Sequence, residues 1–86
     1  MSLIEKSLQY LAESLSNYTE SDIVSQQIMQ KLDRKTYKTV IDFIEDLNDG
    51  EKEYLNTLLK QDIRYAQNTQ DYIRLNELND IYEQLF

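Results

Sequence analysis

The near absence of turn-forming residues constrains this chain more than any other feature. Its 86 residues include one glycine and no proline, although these two residue types form most of the tight turns that strands and hairpins need. Leucine, glutamate, glutamine, lysine and alanine recur instead, with apolar residues three and four positions apart. This spacing places apolar side chains on one face of a helix. The sequence therefore predicts an all-α fold.

Polar gaps divide the apolar pattern into successive helices. Ser2 and Glu5 have the spacing of a capping box at the start of the first helix. Ser21 and Thr36 are suited to cap the second and third helices, and Asn48-Asp49-Gly50 is the clearest turn. We predict a single helical domain, residues 1–86, built as a small bundle of four to five helices at about 2–18, 21–34, 37–48, 50–67 and 69–85.

The segment that follows Gly50 is too long to form one straight helix within a domain of this size. Its 36 residues would span about 54 Å, whereas the expected radius of gyration is about 12 Å. The apolar stripe also rotates by roughly a third of a turn between residues 55–66 and residues 75–85. A change of direction is therefore expected between these two stretches.

We predict a kink or a break at 67–71, so that the last two helices are either separate or one kinked long helix. Asn68 or Thr69 would cap the new helix. The alternative keeps the helix straight and buries residues 72–86 against a second copy of the chain, which would make the protein a homodimer.

The residue types that are missing narrow the possible chemistry. The chain has no cysteine and no histidine, so it has no disulfide framework, no Cys/His zinc site and no Cys-His or Ser-His-Asp catalytic unit. Around Asn48-Asp49-Gly50 the spacing is wrong for a calcium loop, because Leu47 and Asn56 fall where ligands are required. A single glycine cannot form a phosphate-binding loop. We predict no catalytic activity, no cofactor and no metal.

The apolar runs of the chain are short. None approaches the roughly 20 residues that a membrane-spanning helix needs, and Glu5 and Lys6 interrupt any apolar segment of the signal-peptide type. The absence of cysteine fits a reducing compartment. We therefore expect a cytoplasmic protein that has no membrane association.

Charge is distributed unevenly along this acidic chain, which carries a formal net charge of −7. A basic cluster within eight positions suggests contact with nucleic acid and comprises Lys31, Arg34, Lys35 and Lys38. The helix expected to follow this cluster carries Asp42, Glu45 and Asp46, which have the wrong sign to face phosphates. The net charge opposes the association as well. Nucleic-acid binding through the basic cluster is therefore the alternative function, and we do not favour it.

The seven tyrosines suggest a protein partner. Tyrosine has an apolar ring and a polar tip, and it is enriched at protein interfaces. The helical positions of Tyr54 and Tyr65 lie off the main apolar stripe, and together with Leu58 they are the candidate partner-binding patch. The same tyrosines would also suit a wide core face in a small bundle. We predict a protein–protein interaction or regulatory role with an unidentified protein partner.

Four segments of the chain together resemble one known family. They are 10–16 (YLAESLS), 43–47 (FIEDL), 63–71 (IRYAQNTQD) and 75–85 (LNELNDIYEQL). They resemble the CsgA-type small sporulation-specific proteins of Bacillus-like spore formers, which are distinct from the curli subunit of the same name. The resemblance implies production in the forespore under a late sigma factor. It carries no catalytic motif, and the Gly-containing motifs of DNA-coating spore proteins are absent, so we do not transfer DNA protection to this chain.

Overall fold

Five helices account for most of residues 5–86, the part of the chain that the computed structural model describes. They are α1 (Lys6–Ser16), α2 (Ile23–Arg34), α3 (Val40–Glu45), α4 (Asp49–Asn68) and α5 (Tyr72–Leu85). No residue within 5–86 belongs to a strand. The predicted all-α bundle is confirmed, with α4 and α5 as separate helices.

The first two helices begin at different residues from those the sequence suggests. α1 follows Glu5, whose side chain makes no capping hydrogen bond, and the predicted cap Ser2 lies outside the described residues. α2 is capped by Asp22, whose Oδ1 accepts a hydrogen bond from the Val24 N–H at 3.0 Å. The predicted cap Ser21 is wrong by one position, because Ser21 still belongs to the preceding turn whereas Asp22 has the extended backbone of a cap.

The third helix is shorter than predicted. Its cap is Thr39, whose hydroxyl accepts a hydrogen bond from the Asp42 N–H at 3.2 Å, so the predicted cap Thr36 is wrong. Residues 35–39 lie outside any helix. This segment places the Tyr37 ring in the core, with its centroid 5.4 Å from that of Phe43 in an edge-on arrangement. The periodic pattern assigned Tyr37 to a helix, but it is buried before the helix begins.

The predicted break between the last two helices is confirmed, and it is a Schellman motif. The Asp71 N–H donates to the Ala66 carbonyl at 2.9 Å, and the Gln70 N–H donates to the Gln67 carbonyl at 3.2 Å. Gln70 has a φ of 59°, in the left-handed region that favours glycine. This residue turns the chain so that α5 packs back along α4.

Neither Asn68 nor Thr69 caps α5, so that part of the prediction is wrong. Asn68 is still helical, and the Thr69 hydroxyl donates back to the Tyr65 carbonyl at 3.0 Å. The cap is Asp71, whose Oδ1 accepts from the Arg74 N–H at 3.2 Å. Thr69 therefore closes α4 and does not open α5.

The core forms where α5 packs between α4 and α1, with α2 against α1 and α4, and with α3 against α5. The core residues are Leu8, Leu11, Leu15, Ile28, Tyr37, Val40, Phe43, Ile44, Leu47, Leu55, Leu58, Leu59, Leu78, Ile81 and Leu85. The straight-helix alternative is wrong, because the apolar stripe of α5 is buried within the same chain. Two large apolar residues of α2 and α3 are exposed: Ile23 by 70% and Ile41 by 45%.

Candidate functional site

Two members of the predicted basic cluster are held by carboxylates. Lys31 Nζ lies 2.5 Å from Glu51 Oε1 and donates to the Asp46 carbonyl at 2.8 Å. Lys35 Nζ lies 2.8 Å from Asp46 Oδ2. Tyr37 Oη donates to the same Asp46 oxygen at 2.8 Å. We call these five residues the α2–α4 polar network, because they join the end of α2 to the start of α4.

The electrostatics of the α2–α4 polar network favour its ionised carboxylate and its neutral phenol. Hydrogen bonding from Lys35, and then from Tyr37, lowers the pKa of Asp46 below its ordinary value. Burial, followed by the hydrogen bond to Asp46, raises the pKa of Tyr37 to about 12. At neutral pH the phenol therefore keeps its proton and remains a hydrogen-bond donor.

Glu51 is the buried charge of this network, with 3% of its surface exposed. Its Oε1 accepts from the Asn48 N–H at 2.9 Å, while the Glu51 N–H donates to Asn48 Oδ1 at 2.8 Å. The pair is a capping box that starts α4. The Asn-x-x-Glu spacing of residues 48–51 is a readable capping signal in the sequence, whereas the burial of Glu51 follows from the fold.

The other two members of the basic cluster, Arg34 and Lys38, are exposed and form no ion pair within residues 5–86. Arg34 is the last residue of α2, and Lys38 lies in the segment before α3. Only half of the basic cluster is therefore available to phosphates. Nucleic-acid contact through all four residues stays a prediction.

The predicted partner-binding patch of Tyr54, Leu58 and Tyr65 does not form as one exposed surface. Leu58 is 5% exposed, and Tyr54 is partly buried against the core. Burial raises the pKa of Tyr54; hydrogen bonding with Ser25 acts against this increase, and hydrogen bonding to Asp22 adds to it. Tyr54 lies beside Asp22 and Ser25 at the start of α2, which packs against α4. Only Tyr65 is exposed, by 68%.

Tyr65 instead lies beside a groove of about 590 Å³, which we call the α4–α5 groove. The end of α4, the start of α5 and the turn after α1 form its walls. Its lining residues are Asn17, Tyr18, Gln61, Asp62, Tyr65, Asp71 and Arg74. Sequence reasoning did not find this groove, because its residues come from three parts of the chain that only the tertiary fold brings together.

The single cation of the α4–α5 groove is engaged by α1. Arg74 Nη1 lies 3.2 Å from Glu13 Oε2, and Nη2 donates to the hydroxyl of buried Ser14 at 2.9 Å. Within residues 5–86, Asp62 and Asp71 form no ion pair. The groove therefore carries two carboxylates whose charge no neighbouring cation balances through direct contact.

Two other features of the described chain do not form sites of comparable size or chemistry. A smaller cavity of about 200 Å³ is bordered by Leu8, Ala12, Leu32 and Tyr37, and it falls below the roughly 300 Å³ at which ligand pockets begin. No group of three or more acidic side chains within residues 5–86 is arranged to hold a metal ion.

Comparisons with known proteins assign the chain to a family. A family model described as CsgA, minor curli fiber component A, matches residues 4–86. A protein of Bacillus subtilis (strain 168), described as a sigma-G-dependent sporulation-specific SASP protein, is 45% identical over 82 residues, which cover 95% of this chain and 99% of the relative. The chain belongs to this CsgA-type family of small sporulation-specific proteins. No solved structure matches it.

The family description and the relative's name point to different biology. The first refers to a curli fibre, and the second refers to sporulation. The match to the sporulation protein extends over nearly the whole of both chains. The resemblance to the small sporulation-specific family is thus confirmed. Among the described helices, none combines the length and apolar character needed to cross a membrane.

Proposed function

We propose that this chain is a sporulation protein of the forespore cytoplasm that acts by binding a partner protein on a helical surface, without catalysing a reaction. The sporulation role is supported by the relative in Bacillus subtilis, whose description names sigma-G dependence and which is 45% identical. The binding role is supported by the distribution of exposed apolar side chains.

The observation that carries the proposal is a group of exposed apolar side chains that flank the turn between α4 and α5. Six large apolar side chains are exposed within residues 5–86, and three of them lie around the turn between α4 and α5. They are Tyr65 (68%), Tyr72 (60%) and Ile73 (62%), which we call the α4–α5 surface. Clustered exposed apolar groups, and tyrosine in particular, are typical of protein interfaces.

The shifted pKa values are not those of acid–base catalysts. Acid–base catalysis works best with groups whose pKa lies near the working pH. The pKa of Tyr37 and that of Tyr54 are raised from about 10, and the pKa of Asp46 is lowered from its ordinary value near 4. All three values move away from neutrality, which is the opposite of what a catalytic acid or base requires.

Site-specific photo-crosslinking in sporulating cells tests the proposal. A photoreactive phenylalanine analogue would replace Tyr65, Tyr72 or Ile73 in turn, with matched controls at the exposed positions of Glu45 and Glu53. We expect an adduct of discrete mass at the first three positions and none at the two controls. Equal adduct formation at all five positions, or none at any, would show that the α4–α5 surface is not an interface.

A second copy of the chain is the other partner that this surface could bind. The predicted homodimer interface, 72–86, buries its main apolar stripe inside the chain but leaves Tyr72, Ile73 and Phe86 exposed by 60%, 62% and 78%. Light scattering on a size-exclusion column measures the mass directly. A dimer that Ile73→Asp converts to a monomer would identify the partner as a second copy, and a monomeric wild-type chain would leave a different protein as the partner.

A further inference from the structure

The α4–α5 groove has the size of a site for a small group. Its volume of about 590 Å³ falls inside the range of about 300–1,000 Å³ typical of ligand pockets. It adjoins the proposed interface, because Tyr65 lines the groove and also belongs to the α4–α5 surface. A partner bound to the surface would therefore place side chains within reach of the groove.

The charges that line the groove determine whether a bound group should be positive, negative or neutral. Asp71 uses one oxygen to cap α5, through the Arg74 N–H at 3.2 Å, and its other oxygen has no protein partner within residues 5–86. Asp62 is half-buried and forms no ion pair there. The Arg74 charge is balanced by Glu13 at 3.2 Å. An anion would be repelled by both aspartates, and an apolar group would desolvate them without compensation.

The remaining lining residues also suit a cation. Tyr18 and Tyr65 supply aromatic rings, and ring faces attract ammonium and guanidinium groups. Asn17 and Gln61 add amide oxygens that accept hydrogen bonds. A lysine or arginine side chain has an apolar stem that can lie against the rings and a charged head that can reach the carboxylates.

We propose that the α4–α5 groove binds a lysine or arginine side chain from a basic segment of the partner protein. This inference rests on the proposed function, since it names the chemistry of the partner that the α4–α5 surface holds. Asp62 and Asp71 bind the charged head, and Tyr18 and Tyr65 contact its stem.

Two double variants isolate the role of the groove carboxylates. Asp62→Asn with Asp71→Asn removes both charges and keeps the shapes of the side chains, and asparagine caps a helix as well as aspartate does. The matched control, Glu45→Gln with Glu53→Gln, removes two exposed charges that have no hydrogen-bond or ion-pair partner within residues 5–86. Both variants change the net charge equally, so a general effect of net charge would appear in both.

The binding experiment is a nuclear magnetic resonance titration of the full chain labelled with nitrogen-15. The probe is the blocked peptide Gly-Arg-Gly-Lys-Gly, and the same peptide with glutamate in place of its arginine and lysine is the negative control. We expect saturable shifts confined to residues 17–18, 61–65 and 71–74. Affinity should fall about tenfold or more in the groove variant, because charge-assisted contacts are lost, and it should stay unchanged in the control variant.

Several outcomes would overturn the inference. Shifts spread over the whole acidic surface, or equal weakening in both double variants, would show unspecific attraction to the net charge. Equal binding of free spermidine would assign the groove to small cations and not to a partner segment. Preserved binding of the peptide in the groove variant would show that Asp62 and Asp71 do not bind its charged side chains. Native-like spectral dispersion of each variant confirms that it is folded.

Failure of this inference is distinguishable from failure of the proposed function. If cellular photo-adducts at Tyr65, Tyr72 and Ile73 persist in the groove variant, the proposed interface is supported. The proposal that the groove binds a lysine or arginine side chain is then wrong. If no position gives an adduct, the proposed interface is wrong, whether or not the peptide binds in the titration.

Discussion

The α2–α4 polar network and the α4–α5 groove use charge in opposite ways. In the network, Lys31 and Lys35 contact Glu51 and Asp46 at 2.5 and 2.8 Å. In the groove, Asp62 and Asp71 form no ion pair among the described residues. In the denser charge cluster of the sequence, folding therefore pairs two of the four basic side chains with carboxylates. The sparser one keeps charge available for a partner.

Helix packing explains the difference between the two regions. The acids of the network follow its lysines within 20 positions, and the α3 segment folds them back onto the end of α2. In the groove, Asp71 and Arg74 are closer in sequence than either network pair, yet they form no ion pair with each other. The residues of the groove lie between positions 17 and 74. The one cation of the groove, Arg74, forms an ion pair with Glu13 on α1.

The largest effect is expected for Glu51→Ala, which removes the buried member of the network. The change deletes the capping-box acceptor and leaves Lys31 without its carboxylate. We expect a loss of about 2–3 kcal/mol in the free energy of unfolding, measured by urea denaturation. The control Glu53→Ala, on the exposed face of the same helix, should change it by less than about 0.5 kcal/mol. Equal effects would mean that the network does not stabilise the fold.

A smaller effect is expected for Tyr37→Phe. The variant keeps the ring against Phe43 and loses the hydrogen bond to Asp46, which should lower stability at neutral pH by about 0.5–1.5 kcal/mol.

The effect of Tyr37→Phe should also depend on pH. Because the pKa of Tyr37 is raised from 10 to about 12 on folding, the protonated phenol stabilises the fold fully below about pH 10. This contribution is lost as the pH rises through about 12. The difference in unfolding free energy between wild type and Tyr37→Phe should therefore shrink over this range. A difference that stays constant up to pH 12 would contradict the raised pKa of Tyr37, which burial and the hydrogen bond to Asp46 produce together.

The turn beside the groove offers a test in the stabilising direction. Gln70 occupies a left-handed position, so Gln70→Gly should raise stability by about 0.5–1 kcal/mol.

The single glycine of the chain, Gly50, lies in the first turn of α4 without a positive φ, and an added Cβ would meet Asn48 Oδ1 at an ordinary 3.5 Å. Gly50→Ala should therefore also stabilise, by about 0.5–1 kcal/mol. Thermal unfolding of both variants measures this, and a destabilised Gln70→Gly would contradict the strain assigned to Gln70.

The smallest effect is expected for the binding of nucleic acid. Because Lys31 and Lys35 are held by carboxylates and the chain carries a net charge of −7, we expect no gel shift of DNA or RNA even at low salt. A shift that weakens steeply with salt and disappears in the double variant Arg34→Gln, Lys38→Gln would instead establish the alternative function.

Much of the fold could be predicted from local patterns. The helical stripes of α4 and α5 and the break between them follow from apolar spacing, which records the period of the backbone. The caps were less predictable, because neighbouring polar residues such as Ser21 and Asp22 compete for the same helix start. Ile23 and Ile41 match the apolar period and are exposed, since no other helix covers them.

The sequence by itself determined the helical class, the absence of thiol and imidazole chemistry, and the change of direction at 67–71. These depend on residue types and on spacings within one helix. Only the tertiary structure decided which charges are paired, that Leu58 is buried while Tyr65 is exposed, and that Tyr18, Asp62 and Asp71 share a groove. Burial and charge pairing depend on which helix packs against which face, and that information is not contained in any single stretch of the chain.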